Sequence, residues 1–463
     1  MSFEWKKYSI ADVSKKVVTG KTPPGTLEKY FGGDVLFVTP TDMGDNKYIE
    51  RTQRTLSDEG EAKLAKQKFE CGIVVSCIGW QMGKSAIVKN AAVTNQQINT
   101  IIPNNELIDV DFLYYILSDK RTEIFNLGAT ATRTPILKKS LFEKIEFYAP
   151  KLEQQKKIGS ILSCLDNKII NNQKINQTLE QMANALFKSW FVDFEPVKAK
   201  VTVLQAGGSQ EEATLAAMTA ISGKDADVLV AFEREHPEQY AELKATAELF
   251  PSAMQESELG DIPEGWKPGC IGNISQRIRT KVGSSSAVVL SAVASGELVP
   301  SDEHFTKQVY SKSIEKYILV EQWSFAYNPS RINIGSIGLN VKSLNGAVSP
   351  VYVVFKTEPE YKWYVEILTK TTYFKSNVNI LASGSVRQSL SYDDLASIPL
   401  CIPEVSIVNI FNEKYEEYLS LIEKYRNQNN TLVSIRDTLL PKLLSGEITL
   451  PEAEQAVSEV ENV

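Results

Sequence analysis

One amphipathic helical segment occurs twice in this chain, at positions 253 residues apart. Residues 176–191 read NQTLEQMANALFKSWF, and residues 429–444 read NNTLVSIRDTLLPKLL. The apolar residues of the first copy follow alternating steps of three and four, the heptad spacing that holds one seam of a helix against a partner helix. The second copy keeps the same apolar positions. The repeat therefore predicts two long helices with apolar seams, although two unrelated amphipathic core helices would give a similar pattern.

An asparagine occupies the same seam position in each copy. These residues are Asn176 and Asn429. A polar amide in an apolar seam lowers stability but resists slippage of paired helices. We therefore predict that Asn176 and Asn429 fix the register of the helices.

The repeat also extends upstream of both helices. A proline precedes each helix at the same offset, Pro150 in FYAPKLEQQ and Pro403 in LCIPEVSIV, and proline marks a boundary because it does not fit inside a helix. Further upstream, a loop rich in small residues carries Arg133 in the first half and Arg387 in the second. Each loop follows a glycine-interrupted run that is typical of β-strands. The chain thus predicts two similar α/β domains, each followed by a long helix.

Composition and charge limit the class of protein. The net charge is −7, but the acidic residues concentrate in residues 195–265 and in the C-terminal tail, and the two predicted domains are mildly basic. Such domains can contact phosphate, although ordinary solvated surfaces have a similar balance. The five cysteines lack zinc-site spacing and predict reduced thiols. The start lacks an apolar signal core and no stretch is long enough to span a bilayer, so we expect a cytoplasmic protein.

Three stretches carry a resemblance to a known family. They are ALFKSWFVDFEPV (185–197), SELGDIPEGW (257–266) and LLPKLLSGEI (439–448). Together with the repeat, they make nearly the whole chain similar to the specificity subunits of type I restriction-modification systems. The resemblance implies an α+β fold in which two tandem-repeated target-recognition domains are separated by two long antiparallel coiled-coil helices.

The resemblance also implies a division of the chain and a set of partners. Each recognition domain is expected to read one half of a split sequence in double-stranded DNA. Two methyltransferase subunits would dock on the framework, restriction subunits with motor activity would join them, and S-adenosylmethionine would bind in the methyltransferase. The expected segments are the first recognition domain 1–150, the first helix 151–194, an acidic helical linker 195–260, the second recognition domain 261–403, the second helix 404–449 and an acidic tail 450–463.

The helix lengths agree with such a target. Helices over about residues 158–191 and 411–444 would each be roughly 50 Å long at 1.5 Å per residue. One turn of B-DNA is about 34 Å, so domains held near opposite ends can enter grooves about one turn apart. Because the two domains differ in sequence, we expect a bipartite target that is not a palindrome.

No catalytic pattern is apparent in the chain. TPPG (22–25) and YNPS (327–330) depart from the polar-Pro-Pro-aromatic loop with which adenine methyltransferases hold a flipped base. The two histidines, His236 and His304, have no neighbouring pattern of metal ligands or catalytic partners. We therefore predict a subunit without an active site, no cofactor and no bound metal. A degenerate enzyme and a scaffold whose repeated domains bind protein are the alternatives.

The candidate DNA-contacting residues are polar side chains in corresponding loops of the two domains. Arg and Lys can reach guanine or phosphate, and Asn and Gln can pair with adenine through two hydrogen bonds. Because Arg133 and Arg387 recur in domains that should read different bases, we expect them to contact phosphate. The candidates are Gln81, Lys84, Thr132 and Arg133 in the first domain, and Asn328, Ser330, Arg331, Arg387 and Gln388 in the second.

Overall fold

The computed structural model describes residues 4–24, 28–129, 136–305, 310–343, 345–383 and 389–461. Up to residue 150 the chain alternates short strands and short helices. These elements are β1 Lys6–Ser9, α1 Ile10–Val13, β2 Ser14–Thr19, β3 Phe31–Val38, β4 Thr55–Leu56, α2 Asp58–Lys63, β5 Gly72–Ser76, β6 Ser85–Val88, β7 Ala92–Thr94, β8 Ile98–Pro103, α3 Val110–Asp119, α4 Arg121–Gly128, α5 Lys139–Phe142 and β9 Glu146–Ala149.

A long helix and a group of shorter helices follow. The long helix α6 begins at Leu152, two residues after Pro150, and ends at Phe191. The acidic segment after it forms α7 Glu195–Gln205, α8 Gln210–Ser222, α9 Ala226–Glu235 and α10 Pro237–Leu249.

The strand-rich pattern then returns and leads into a second long helix. The elements are β10 Met254–Ser257, β11 Gly260–Pro263, β12 Lys267–Cys270, β13 Ser275–Ile278, β14 Val288–Ala292, β15 Leu298–Pro300, α11 Ser301–His304, β16 Ile318–Val320, β17 Ser324–Tyr327, β18 Ile337–Leu339, β19 Gly346–Val348, β20 Val353–Thr357, α12 Lys362–Leu368, α13 Thr372–Ser383, α14 Tyr392–Ala396, β21 Pro399–Ile402, α15 Val405–Ser445 and α16 Leu450–Glu461.

The last helix lies in the segment that the sequence predicts only as an acidic tail. Leu450, Ala453 and Val457 repeat at helical spacing, and all are buried in the core that includes α3 and β5. Because apolar residues on one face of a helix gain by leaving water, this segment packs although its outer face is acidic. The tail is therefore part of a folded core.

The chain divides into two compact units. The first comprises residues 1–176 and 423–463, and the second comprises residues 177–422. No helix in the described ranges is long and apolar enough to cross a membrane.

The sheets of the first unit are short and mostly antiparallel. In one sheet the described strands lie in the order β2–β8–β5–β6, and in another they lie in the order β4–β3–β7, where β3 and β7 are parallel. Strands β1 and β9 pair with each other. Every residue of β5 is buried, so this strand anchors the hairpin that it forms with β6.

The first unit also contains one end of each long helix, and these ends contact each other. Asn172 donates from Nδ2 to Oε1 of Gln428 at 2.8 Å and to Oδ1 of Asn429 at 2.9 Å, and Asn429 Nδ2 lies 3.5 Å from the carbonyl oxygen of Ile169. Arg436 pairs with Asp166. Later residues of α6 thus contact earlier residues of α15, so the two segments run antiparallel in this unit.

The side chain that Asn429 meets is that of Asn172, which lies one helical turn from Asn176. Asn172 is 3% exposed and Asn176 is 8% exposed. We expect Asn172→Ala to lower the free energy of unfolding by about 1–3 kcal/mol, because the partly buried amide oxygens of Gln428 and Asn429 lose their donor. Urea denaturation of the variant beside Asn176→Ala measures the difference. An equal or larger loss for Asn176→Ala would instead support Asn176 as the main register residue.

The corresponding strands of the second unit lie in the same order as those of the first, and β16 is an additional edge strand. Its described strands form sheets in the orders β13–β20–β17–β18 and β15–β14–β19–β16, with β14 and β19 parallel, and β12 pairs with β21. The β17–β18 hairpin occupies the position that β5–β6 has in the first unit.

An aromatic cluster forms the part of the second core that includes the long helices. Phe187 and Phe191 of α6 pack against Phe411 of α15, with ring centroids 5.9 and 5.1 Å from that ring. Tyr364 of α12 packs 5.3 Å from Phe187 and 5.2 Å from Phe191. These rings bury large apolar areas, so they tie α12 firmly to both helix segments in this unit.

Candidate nucleic-acid interface

The β5–β6 hairpin of the first unit presents a tightly closed loop. The Ser76 amide donates to the carbonyl oxygen of Lys84 at 2.9 Å, and the Gly83 amide donates to that of Ser76 at 2.9 Å. Gly83 has a φ of +82°, and a Cβ there would lie 2.7 Å from the carbonyl oxygen of Arg121. Glycine is therefore required at this position both for conformation and for space.

This loop carries two of the candidate residues, Gln81 and Lys84. The Lys84 ammonium lies 2.9 Å from Oδ1 of Asp45, and this contact lowers the pKa of the Asp45 carboxyl. Oε1 of Gln81 is buried and accepts no hydrogen bond within the described residues. Lys84 is thus held in place by an exposed carboxylate, and Gln81 retains an unused acceptor.

The β17–β18 loop of the second unit carries Asn328, Ser330 and Arg331. Oδ1 of Asn328 accepts from the backbone amide of Ser330 at 3.1 Å, and its carbonyl oxygen accepts from that of Arg331 at 2.9 Å. Asn328 therefore stabilises the turn, the structural role that short polar side chains often have. The side chains of Ser330 and Arg331 are exposed.

The remaining candidates, Thr132, Arg133, Arg387 and Gln388, lie outside the described residues. The structure does describe the residues that follow each of these two pairs. Ile136 forms a β-bridge with Ile78 beside the first hairpin loop, and the amide of Leu390 donates to the carbonyl oxygen of Pro329 in the second. In each unit, residues that follow the candidate arginine in sequence therefore contact the hairpin loop that carries the other candidates.

The first hairpin loop also exposes a residue that the sequence does not single out. Trp80 is 86% exposed, and its ring stacks on Phe125 of α4 with centroids 6.1 Å apart and planes inclined by 20°. Tryptophan in a strand-rich region is usually assigned to the core, so the apolar character of Trp80 does not predict its exposure. The neighbouring glycines in GWQMG are the signal that places it in a turn.

Within the first unit, Lys47 connects the strand-rich region to α6. Its ammonium lies 2.7 Å from Oδ1 of Asp111 on α3 and donates to Oγ of Ser163 on α6 at 2.6 Å. The side chain is fully buried, and burial lowers the pKa of Lys47 although Asp111 opposes that shift. A buried charge is tolerated here because it is paired and hydrogen-bonded.

A second set of contacts extends this connection to α15. The hydroxyl of Tyr115 on α3 donates to Oδ2 of Asp166 on α6 at 2.5 Å, and Arg436 on α15 lies 2.8 Å from Oδ1 of the same carboxylate. Burial and the Asp166 carboxylate both raise the pKa of Tyr115. One carboxylate thus joins α3, α6 and α15 within the first unit.

The second unit joins its long helix to its strand-rich region through two hydrogen bonds of opposite direction. The Tyr415 hydroxyl, on the long helix α15, donates to Oε2 of Glu366 on α12 at 2.9 Å. Nε1 of Trp363 on α12 also donates to Oε1 of Glu416 on α15 at 2.6 Å. In the first unit the tyrosine belongs to the short helix and the carboxylate to the long one.

A cleft of about 400 Å³ lies beside the junction in the first unit. Its wall includes three basic and three acidic residues, Lys84, Arg121, Arg436, Asp45, Asp166 and Asp437. Lys84 and Arg436 each pair with at least one of these carboxylates, so the wall is balanced in charge. Among the described residues, no group of three or more His, Cys, Asp or Glu side chains could hold a metal ion, and all five cysteines are free thiols.

Comparisons with known proteins show consistent similarities. Residues 3–181 match a family model described as the type I restriction modification DNA specificity domain. The chain is 30% identical to the type I restriction enzyme HindI specificity subunit of Haemophilus influenzae, over 96% of this chain and all of that one. It is 25% identical to the MjaIX specificity subunit of Methanocaldococcus jannaschii, over 97% of this chain and 94% of that one.

A solved structure is similar over a comparable length. The S subunit of a type I restriction-modification system from M. genitalium covers 95% of this chain and 96% of its own, with 14% identity and a TM-score of 0.49.

Proposed function

Because the chain belongs to the family of type I restriction-modification specificity subunits, we propose that each strand-rich unit reads one half of a split DNA target. The protein is a DNA-recognition subunit without a catalytic centre of its own. What carries the proposal is that the two units share one strand order but present different side chains at the corresponding hairpin loops. One scaffold with two sets of loops suits two different half-sites, so the target is bipartite and asymmetric.

The two long helices set the length of the unread spacer. Helix α6 has 40 residues and α15 has 41, which gives each a length of about 60 Å. This exceeds one turn of B-DNA, about 34 Å, so the helices are long enough to separate two half-sites by about a turn. The Asn172–Asn429 contact supports an antiparallel register for the coiled-coil pair.

The helices also provide surfaces for the catalytic partners. Two methyltransferase subunits dock on this framework, and S-adenosylmethionine binds to them. Restriction subunits join to form the cleaving complex.

Co-expression with the methyltransferase subunit tests the function directly. Methylated adenines are mapped across the host genome, with the methyltransferase alone as the control. We expect a split, non-palindromic motif that appears only when this chain is present. A scaffold that binds protein would give no motif that depends on this chain, and its binding would not weaken steeply with salt as phosphate contacts do.

Arg133→Ala tests the expectation that this arginine contacts phosphate. The loss of one phosphate contact should weaken binding to all sequences alike and reduce the slope of log affinity against log salt by about 1. Binding of the assembled methyltransferase complex to target and non-target duplexes at several salt concentrations measures both effects. Relaxed specificity at a single base position would instead assign Arg133 to base reading.

A further inference from the structure

Each hairpin loop exposes a large apolar side chain at its tip, and neither the fold nor the polar candidate residues account for that exposure. Trp80 in the first unit and Ile334 in the second are 86% and 59% exposed. Each lies in a single 3₁₀ turn between two buried strands, at Gly79–Gln81 and Ile332–Ile334. The two positions are not equivalent, since Trp80 lies three residues before Gly83 and Ile334 lies directly before Gly335. Large apolar side chains gain by burial, however, so folding alone does not account for an exposed one in the hairpin loop of each unit.

The backbone of each loop closes a hydrogen-bonded turn. In the first loop the Met82 amide donates to the carbonyl oxygen of Gly79 at 3.2 Å, and Phe125 supports one face of the Trp80 ring. In the second loop the Gly335 amide donates to the carbonyl oxygen of Ile332 at 3.0 Å. A ring that is already supported on one face loses less conformational entropy on contact with a partner, so Trp80 is suited to binding.

Each hairpin loop carries a basic residue and no carboxylate, although Asp45 from outside the first loop pairs with Lys84. Residues 77–84 contain Lys84 and no carboxylate, and residues 328–336 contain Arg331 and no carboxylate. Arg121 lies against the first loop at Gly83. Rings stack on bases, and aliphatic side chains contact thymine methyl groups or enter between base steps.

We propose that Trp80 and Ile334 contact the bases of the two DNA half-sites, Trp80 in one half-site and Ile334 in the other. This inference rests on the proposed function, and it adds an apolar contact to each set of polar candidates. Because an indole and a sec-butyl group have different shapes, the two tips also help to make the half-sites different.

The test uses the complex with the methyltransferase and compares Trp80→Ala, Trp80→Phe and Ile334→Ala with wild type. Methylation rates are measured on duplexes in which each base of the mapped motif is varied in turn. We expect Trp80→Ala to lower the affinity for the target by roughly five- to hundredfold. It should also weaken discrimination in one half-site and leave the other half-site unchanged. Ile334→Ala should alter only the opposite half-site, and Trp80→Phe should restore much of the lost discrimination.

The control is Tyr148→Ala, which removes an aromatic residue of β9 that is 57% exposed but lies outside both loops. It should leave the motif and the rate unchanged. Unchanged discrimination in Trp80→Ala would overturn the proposal, and so would loss of methyltransferase from the purified complex with the motif intact, since that result assigns the tip to protein docking. If wild type itself yields no split motif, the proposed function fails, whatever the variants do.

Discussion

Replacement of Asp166 by Ala should lower the free energy of unfolding of the first unit by about 3 kcal/mol. Asp166 is 4% exposed and is the common partner of Tyr115 and Arg436. Its removal leaves a buried hydroxyl without an acceptor and a partly buried guanidinium without its main counter-charge. The exposed Asp437, which lies 2.8 Å from Arg436, offsets part of the loss and holds it near the lower end of the range for broken buried pairs.

Tyr115→Phe is the matched control because it keeps the ring and deletes only the hydroxyl, with its hydrogen bond to Asp166 and the longer one that it accepts from Lys47 Nζ at 3.3 Å. It should cost about 1 kcal/mol. Urea denaturation of the three proteins, followed by circular dichroism, gives the comparison. If Asp166→Ala costs no more than Tyr115→Phe, Asp166 does not act as the common partner of three helices.

Deletion of one heptad from each long helix should shorten the unread spacer of the DNA target and leave both half-sites unchanged. Residues 177–183 and 418–424 are suitable because they lie at the same distance in sequence from the Asn172–Asn429 contact. Removing seven residues shortens a helix by about 10 Å, which corresponds to up to about three base pairs of B-DNA. The heptad seam and both hairpin loops stay intact, so the recognised bases should not change.

The measurement is again a genome-wide map of methylated adenines with the methyltransferase co-expressed. Deletion of a heptad from α6 alone is the control, because it puts the two seams out of register and should reduce methylation strongly without creating a new spacer. An unchanged spacer in the double deletion would show that the helices do not determine the separation of the half-sites.

The repeat in the sequence is enough to predict the architecture of the domains in outline. Glycine-interrupted apolar runs at corresponding positions become the β5–β6 and β17–β18 hairpins, since buried strands need continuous apolar sequence and tight turns need glycine. Helices α6 and α15 begin two residues after Pro150 and Pro403, which follow the preceding strands and mark the boundary, although α15 itself contains Pro441 near its C-terminal end.

Periodicity does not predict which residues of α6 contact which residues of α15. The heptad pattern identifies the seam on each helix, but the pairing depends on the relative direction and offset of two segments that are far apart in the chain. Asn429 therefore lies against Asn172, although Asn176 is its equivalent in the repeat. The burial of Lys47 is not predicted from the sequence for a similar reason. A lone lysine in a loop normally indicates a solvated surface, and only the three-dimensional structure shows that Lys47 is buried and paired with Asp111.

The candidate site is likewise predicted from the sequence only in part. Loop position and residue type predicted Gln81, Lys84 and Arg331, which the structure places in the two hairpin loops. They did not predict that Asn328 closes a turn, because that contact depends on backbone angles. Nor did they predict Trp80, since exposure of an aromatic ring follows from the geometry of the hairpin.

The division of the chain between the units has a consequence for its synthesis on the ribosome. The second unit is continuous, residues 177–422, whereas the first is built from residues 1–176 and 423–463. The strands of residues 1–150 are made before the second unit, but their core lacks Leu439, Leu443 and Ala453 until the second unit has been synthesised. The first unit is thus completed after the second, and a stop codon near residue 423 would spare the second unit while leaving the first with an open apolar face.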